Sequence, residues 1–285
     1  MSIVALVAGA TRGTGRAIAQ ELGARGATVY CTGRSTRGNP SEMRRPEVIE
    51  ETAELVDAAG GRAIAVRVDH TEREEVAGLV DRIGAEQDGA LDVLVNDIWG
   101  GEHLTNWGGR FWEHSLEDGL HMQRLAVWSH VITAWHAAPL LVARRRGLIV
   151  EITDGDSPRY RGSLFYDLAK ASAIRLALGM AADLKPHRVT AVAVTPGFLR
   201  SEAMLDHFGV TEENWRNAIA KDEHFAYSET PRFVGRCVAA LAHDDDVARF
   251  AGRTLTSWGL AREYGIEDVD GTRPDWGAHA AEIGL

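Results

Sequence analysis

Short, almost uninterrupted apolar segments alternate along the chain with longer segments in which apolar residues recur every three or four positions. The short segments predict β-strands at 3–8, 27–32, 63–68, 91–96, 147–153, 189–194 and 253–257. The longer segments predict helices near 14–25, 46–59, 71–87, 113–145, 163–184 and 230–242. Strands that are apolar on both faces are typical of a parallel sheet with helices on each side. The alternation therefore predicts a single doubly wound α/β domain over 1–285, with a mostly parallel seven-stranded sheet.

Composition and charge restrict the class of protein. The 285 residues include 31 basic and 41 acidic side chains, a formal charge of −10, which disfavours binding to nucleic acid or anionic membranes. The apolar N-terminus lacks a basic leader and runs into a glycine turn, so we expect a buried strand and not a signal peptide. No segment is expected to cross a membrane. Cys31, Cys237 and the histidines match no disulfide or metal-binding spacing, so we expect a cytoplasmic protein without a metal site.

A glycine-rich turn, AGATRGTGRAIAQEL, connects the first predicted strand to the first predicted helix. Glycine at positions 9, 13 and 15 leaves room for a diphosphate to approach the backbone, where a side chain would block it. The start of the helix adds free N–H groups and the positive end of the helix dipole. Because this turn follows a buried strand, Gly9, Gly13 and Gly15 indicate a dinucleotide site more strongly than a plain turn.

The end of the second predicted strand, TGRS, indicates which dinucleotide is bound. An NAD-selective site usually has an acidic residue there, which binds the ribose 2′-hydroxyl. This chain has Arg34 and Ser35 instead, and Arg12 in the glycine turn is a second candidate cation. A guanidinium can pair with a 2′-phosphate through two parallel hydrogen bonds. The sequence therefore favours NADP(H), although two solvated surface arginines are the simpler alternative.

The segment EITDGDSPRYRGSLFYDLAK contains the candidate catalytic residues. Tyr166 and Lys170 are one helical turn apart and so share a helix face. A phenol, with a pKa of about 10, is a poor acid–base group at neutral pH unless a nearby cation favours its phenolate. Asp154, at the end of the preceding apolar run, is the third candidate.

Together these features resemble the short-chain dehydrogenase/reductase family, over nearly the whole chain. The segments that carry the resemblance, in the family's order and spacing, are AGATRGTG (8–15), VDH (68–70), VNDIWG (95–100), YDLAK (166–170) and TPGFLRS (195–201). The C-terminal segment LAREYGIEDVDG (260–271), with FWE (111–113), resembles the branch of this family called dehydrogenase/reductase SDR family member one.

The resemblance implies an oxidoreductase that transfers a hydride between NADP(H) and a small carbonyl or alcohol. Tyr166 would donate or accept the proton, and Lys170 would lower its pKa and bind the nicotinamide ribose. Asn96 would steady the fourth strand near the adenosine ribose. The other positions implied to bind the coenzyme, besides the glycines, Arg12, Arg34 and Ser35, are Thr11, Thr14, Asp69, His70, Pro196, Gly197, Phe198 and Ser201.

The sequence departs from the family pattern at the active site. Asp154 stands where the family has a serine that binds the substrate carbonyl, and Ala126 stands near the position of a helix asparagine. Three hypotheses account for Asp154. It is protonated and donates a hydrogen bond as serine does; or it is ionised and favours a cationic substrate such as an iminium; or the protein is a non-catalytic NADP-binding sensor or scaffold.

The remaining predictions concern the substrate and the assembly. Trp99 and Trp107 follow the fourth strand, where open α/β sheets bind ligands, and are expected to line an aromatic substrate pocket. By resemblance, 198–229 forms a substrate lid, with a C-terminal extension at 258–285. The apolar helix near 113–145 and the helix that carries Tyr166 are expected to form a homodimer or homotetramer interface.

Overall fold

The computed structural model describes residues 2–284, and its centre is a sheet of seven parallel strands in the order β3-β2-β1-β4-β5-β6-β7. The strands are β1 Val4–Ala8, β2 Thr28–Gly33, β3 Arg62–Arg67, β4 Val93–Asn96, β5 Gly147–Ile152, β6 Val189–Thr195 and β7 Thr254–Thr256. Each lies within two residues of its predicted position. The predicted doubly wound sheet is confirmed, and it is parallel throughout.

Helices cover both faces of the sheet. They are α1 Gly13–Ala24, α2 Ile49–Ala58, α3 Arg73–Glu86, α4 Leu116–Gln123, α5 Ser129–Arg144, α6 Leu164–Leu184, α7 Glu202–Phe208, α8 Pro231–Ala242, α9 Ser257–Tyr264 and α10 Trp276–Glu282. The sequence did not predict α9 and α10. Both are short and mix glycine, tryptophan and charged residues, so neither shows a clear helical period.

Two hydrophobic cores hold the layers together. On one face, Leu22 of α1 packs with Phe233 of α8 against the apolar side chains of the central strands. On the other face, Ile83 of α3 and Leu141 of α5 pack against the opposite side of the same strands. Burying both faces explains why the strands are apolar at nearly every position.

One long helix, Leu116–Arg144, differs from the sequence expectation. It consists of α4, a π-helical turn at Arg124–Trp128 and α5, and by length and composition it could cross a membrane. A core helix meets the same test, and here 44% of the apolar window is buried inside the protein. Its packing against the sheet and α3 favours a core helix with one apolar outer face.

The carboxyl ends of the strands lie at one edge of the sheet, and three segments surround that edge. These are the glycine turn before α1, the predicted lid with α7, and the C-terminal segment with α10. Ligands of open α/β sheets bind at this edge, so the candidate site lies here.

Candidate active site

A large cavity of about 1280 Å³ opens at this edge of the sheet. The ends of β1, β2, β4, β5 and β6 contribute Gly9, Arg34, Asp97, Thr153 and Pro196 to its lining. Binding sites for one small ligand usually measure about 300–1,000 Å³. The cavity is therefore large enough for a dinucleotide together with a small substrate.

Tyr166, in the first turn of α6, points into the cavity, and its hydroxyl donates a hydrogen bond to Asp154 Oδ2 at 2.7 Å. Burial, followed by the charge and hydrogen bond of Asp154, raises the pKa of Tyr166 well above its ordinary value. The charge of Arg161, which is paired with Asp167 at 2.9 Å, opposes this shift. Tyr166 therefore keeps its proton at neutral pH, and its raised pKa contrasts with the lowered pKa that the resemblance implied.

Lys170 lies one helical turn after Tyr166 and is enclosed by aromatic rings. Its Nζ lies 4.1 Å from the centre of the Trp99 ring and 5.5 Å from that of Tyr166. Burial lowers the pKa of Lys170, while Asp154 and Asp97 oppose the change. Thr153 Oγ1 donates to the Lys170 backbone oxygen at 2.7 Å, which ties α6 to the end of β5.

Asp97 is a second carboxylic acid close to Lys170. It follows β4, and the backbone N–H of Gly15 is close enough to favour its ionised form. Burial raises the pKa of Asp97 to about 7, although the charge of Lys170 works against the shift. A Cβ atom at Gly15 would collide with the Gly9 carbonyl, so glycine at 15 allows the turn, β1 and β4 to pack closely.

The N-terminus of α1 is bound by an acidic residue from the segment predicted to form the lid. Glu202, the first residue of α7, accepts hydrogen bonds from the Gly13 N–H at 2.9 and 3.2 Å. Arg16 Nη1 lies 4.0 Å from the same carboxylate. An anion is expected at this helix terminus, and a coenzyme diphosphate fits there once the carboxylate moves away.

Arg34, the candidate 2′-phosphate ligand, is held by acidic residues. Its guanidinium donates a hydrogen bond from Nη1 to Glu42 Oε2 at 3.0 Å, and Nη2 forms an ion pair with Oε1 at 2.7 Å. Asp69 Oδ2 lies 3.9 Å from Arg34 Nη1. The side chains of Arg34, Asp69 and Ser35 line the same region of the cavity. This region fits a ribose phosphate if Glu42 releases Arg34.

The lid and the C-terminal segment meet beside Pro196 and Gly197. Trp276 of α10 packs against Gly197, and its ring centre lies 5.6 Å from that of Phe198. Below this turn, Glu229 Oε2 accepts hydrogen bonds from the Gly197 N–H at 3.0 Å and from Ser257 Oγ at 2.6 Å. Burial raises the pKa of Glu229 to about 8, so this carboxyl group is largely protonated at neutral pH.

Most of the residues singled out from the sequence lie on the cavity lining. They are Gly9, Thr11, Arg12, Gly13, Thr14, Arg34, Ser35, Asp69, His70, Trp99, Asp154, Tyr166, Lys170, Pro196, Gly197, Phe198 and Ser201. Ser201 also caps α7, because its side chain accepts a hydrogen bond from the Met204 N–H. Arg12 forms an ion pair with Glu102, with Nη2 lying 3.4 Å from Oε2.

Three predicted residues lie elsewhere. Asn96 is inside the sheet, where its Nδ2 donates to Glu151 Oε1 at 2.7 Å. Gly15 lies in the first turn of α1, packed against the Gly9 carbonyl. Trp107 is 62% exposed, and its ring centre lies 4.9 Å from that of Tyr166, so it stands at the outer rim. His70 does line the cavity, but its side chain is turned inward between Thr32 and Thr133, whose hydroxyl oxygens each lie 2.8 Å from a ring nitrogen.

Sequence reasoning missed Glu42, Glu202, Glu229 and Trp276. None of them belongs to a family motif, so only the fold shows that each lies at or beside the site. Across residues 2–284, no group of three His, Cys, Asp or Glu side chains is placed to hold a metal ion.

A parallel sheet of this strand order, with a tyrosine and a lysine one turn apart above its carboxyl edge, defines a Rossmann-type oxidoreductase. The family model described as short chain dehydrogenase matches residues 3–208. The chain belongs to the short-chain dehydrogenase/reductase family.

Similar proteins agree with this assignment. Human dehydrogenase/reductase SDR family member 1 is 34% identical over 272 residues, which cover 94% of this chain and 83% of that protein. The short-chain reductase protein NovJ of Streptomyces niveus is 26% identical, with 95% and 94% of the two chains covered.

Solved structures share the fold. A short chain dehydrogenase from Mycobacterium thermoresistibile superposes with a TM-score of 0.78 at 23% identity, over 96% of this chain and 91% of that one. YwfH, an NADPH dependent reductase involved in bacilysin biosynthesis, superposes with a TM-score of 0.72 at 19% identity, over 90% of this chain and 96% of that one.

Proposed function

We propose that the protein is an NADP(H)-dependent oxidoreductase that transfers a hydride between nicotinamide and a small carbonyl or alcohol substrate. One observation carries the proposal. The hydroxyl of Tyr166, hydrogen-bonded to Asp154 at 2.7 Å and close to Lys170, faces the cavity that also contains the glycine turn and Pro196–Gly197. Conversion of NADPH in the presence of a panel of ketones, aldehydes and imines tests it.

The roles of the side chains follow from their geometry. A bound nicotinamide would supply or accept the hydride. Tyr166, whose raised pKa keeps it protonated, donates its proton to the substrate oxygen during reduction. Lys170 stabilises the resulting negative charge on the phenol oxygen. Trp99 excludes water from one side of this pair, which strengthens their electrostatic interaction.

A second candidate reaction, reduction of an imine, is favoured by Asp154. A carboxylate 2.7 Å from the Tyr166 hydroxyl would stabilise a protonated imine nitrogen in the same position. The same carboxylate would repel the negative charge that develops on a ketone oxygen. A negative charge on Asp154 would therefore favour imine reduction and disfavour ketone reduction.

The choice of NADP(H) rests on Arg34, which is free to bind a 2′-phosphate when Glu42 releases it. We expect R34A to weaken NADPH binding by roughly 10- to 100-fold, the range for a charge-assisted hydrogen bond, with little effect on NADH. E42Q should strengthen NADPH binding, because the neutral amide holds Arg34 less tightly. Fluorescence titration of both coenzymes measures these changes.

A matched control for this prediction is R37A. Arg37 lies three positions away on the chain but pairs with Glu54 at 2.6 Å, outside the cavity lining. R37A should therefore leave both affinities unchanged. Equal losses of NADPH and NADH affinity in R34A would contradict a contact with the 2′-phosphate.

We also propose that the protein is a homodimer or homotetramer assembled through the outer faces of the long helix Leu116–Arg144 and of α6. Exposed apolar side chains form a stripe along the long helix and continue on α6, and Trp135 is 72% exposed. Exposed apolar side chains that recur along one helix face are typical of an interface between subunits. The members of this stripe are Leu116, Leu120, Trp128, Trp135, Leu164, Leu168 and Leu178.

A charge within this stripe should separate the subunits. We expect W135E to have the mass of a single chain by light scattering, and the parent protein to have a multiple of it, since a buried unpaired carboxylate opposes association. V269E is the control, because Val269 is also exposed but lies in the C-terminal segment. A parent protein with the mass of one chain would refute the proposed assembly.

A further inference from the structure

Two buried ionisable residues, His130 of α5 and Glu151 of β5, take no part in the chemistry proposed above. Their side chains are 3% and 0% exposed, and His130 Nδ1 lies 2.6 Å from Glu151 Oε2. Glu151 Oε1 also accepts a hydrogen bond from Asn96 Nδ2 at 2.7 Å. The other ring nitrogen, His130 Nε2, lies 2.9 Å from the backbone oxygen of Ile98. The pair therefore joins α5 and β5 to the segment that follows β4.

The two partners determine the protonation state of His130. A backbone carbonyl can only accept a hydrogen bond, so His130 Nε2 carries hydrogen, while Nδ1 shares a hydrogen with the carboxyl group of Glu151. Burial disfavours the charged ring, but the charge and hydrogen bond of Glu151 raise the pKa of His130 above its ordinary value. A buried ion pair adds little stability compared with apolar side chains of similar volume. Stability alone therefore does not account for this pair.

The carbonyl that His130 binds belongs to the residue between Asp97 and Trp99. Both neighbours face Lys170: the Trp99 ring lies 4.1 Å from Nζ, and the charge of Asp97 acts on the ammonium. The Trp99 ring also meets that of Tyr166 edge-on, with the centres 5.4 Å apart. Fixing the peptide group of Ile98 therefore fixes the direction in which both side chains leave the backbone.

We propose that His130, held by Glu151, is a positioning residue of the active site. Its Nε2–H fixes the Ile98 carbonyl and thereby holds Trp99 against Lys170 and Tyr166. Ala126, one helical turn earlier on the same helix, has no polar side chain that could make this contact. The expected effect on turnover rests on the proposed function, whereas the expected effect on the surroundings of Lys170 does not.

Two variants separate the effect of the hydrogen bond from His130 to Ile98 from the effect of the charges on His130 and Glu151. In E151Q, the new amide can donate to His130 Nδ1 and accept from Asn96, so a neutral ring keeps its N–H directed at Ile98. In H130F/E151V, both charges are replaced by apolar groups, and the Ile98 carbonyl loses its donor. A second apolar pair, H130L/E151L, provides the same test if the first variant does not fold.

The first measurement needs no turnover. The chain has only three lysines, so the rate of reductive methylation at Lys170 can be compared by mass spectrometry with the rates at Lys185 and Lys221. We expect the relative rate at Lys170 to rise several-fold in the apolar double variants, because Trp99 no longer covers the ammonium. E151Q should label as the parent protein does.

The second measurement is turnover. The apolar variants should lose roughly tenfold to a hundredfold in kcat, the scale expected when reacting groups are misplaced, with little change in the KM for coenzyme. E151Q should retain most of the kcat. Adding W99A to an apolar variant should cause little further loss, because both changes remove the same contact.

Two outcomes would overturn the proposal. If a folded apolar variant has the same labelling ratio as the parent (the methylation rate at Lys170 relative to those at Lys185 and Lys221), the pair has only a structural role. An E151Q variant that labels like the apolar variants would show that the charge matters and the hydrogen bond to Ile98 does not. If the parent protein has no turnover, the proposed function fails, and the labelling ratio still decides the role of His130.

Discussion

Replacing Tyr166 by phenylalanine is expected to reduce kcat by about 10²- to 10⁴-fold, the usual contribution of a positioned general acid. The substitution removes the hydroxyl that donates to Asp154 and leaves the ring that packs against Trp99 and Trp107. Coenzyme affinity should change little, because the glycine turn and Arg34 are untouched. NADPH consumption and fluorescence titration, measured on the same preparation, separate the two effects.

Y160F is the matched control for this experiment. Tyr160 also lines the cavity, but its side chain is exposed and forms no hydrogen bond with Asp154 among residues 2–284. Y160F should therefore retain most of the kcat. If Y166F turns over substrate as fast as Y160F, another group donates the proton. If only binding of NADPH is observed in the parent protein, the sensor or scaffold hypothesis gains support.

Replacing Asp154 by serine or asparagine is expected to change the pH dependence of reduction. Asp154 raises the pKa of Tyr166, so its removal lowers that pKa. Reduction requires protonated Tyr166, and activity is lost as pH rises through this pKa. The parent protein should lose activity only at strongly alkaline pH, and D154S and D154N should lose it at lower pH. Initial rates across neutral and alkaline pH measure the shift.

The same variants distinguish ketone from imine reduction. With a neutral residue at 154, the rate on ketones should rise because the repulsion of the developing oxyanion is removed, and the rate on cyclic imines should fall. D156N is the control, since Asp156 lies on the same loop and lines the cavity. If the pH profile and both substrate classes are unchanged in D154S and D154N, Asp154 has no protonic role.

The fold could be predicted from the sequence because burial on both faces makes each strand an apolar run that stands out from its surroundings. The positions of Tyr166 and Lys170 could be predicted for a similar reason, since one helical turn determines their common face. α9 and α10 could not, because short helices of mixed composition are stabilised by tertiary contacts such as the packing of Gly277 on Trp258.

The acidic residues of the site could not be predicted, because their roles depend on partners distant along the chain or on loop conformation. Glu202 is 189 residues from Gly13, and nothing in the local sequence indicates that it binds the glycine turn. Glu42 lies in a loop without a helical or strand period, and only its folded position reveals the pairing with Arg34. The buried position of Asn96 depends on Glu151, which lies on the neighbouring strand.

The bond between Glu202 and Gly13 has a consequence for the order of ligand arrival. A phosphate that binds the Gly13 N–H must displace the carboxylate of Glu202, which begins α7. Glu202 thus links the predicted lid to the glycine turn, and an anion bound at the Gly13 N–H would break that link. We therefore expect an ordered sequence, in which coenzyme enters first and substrate follows.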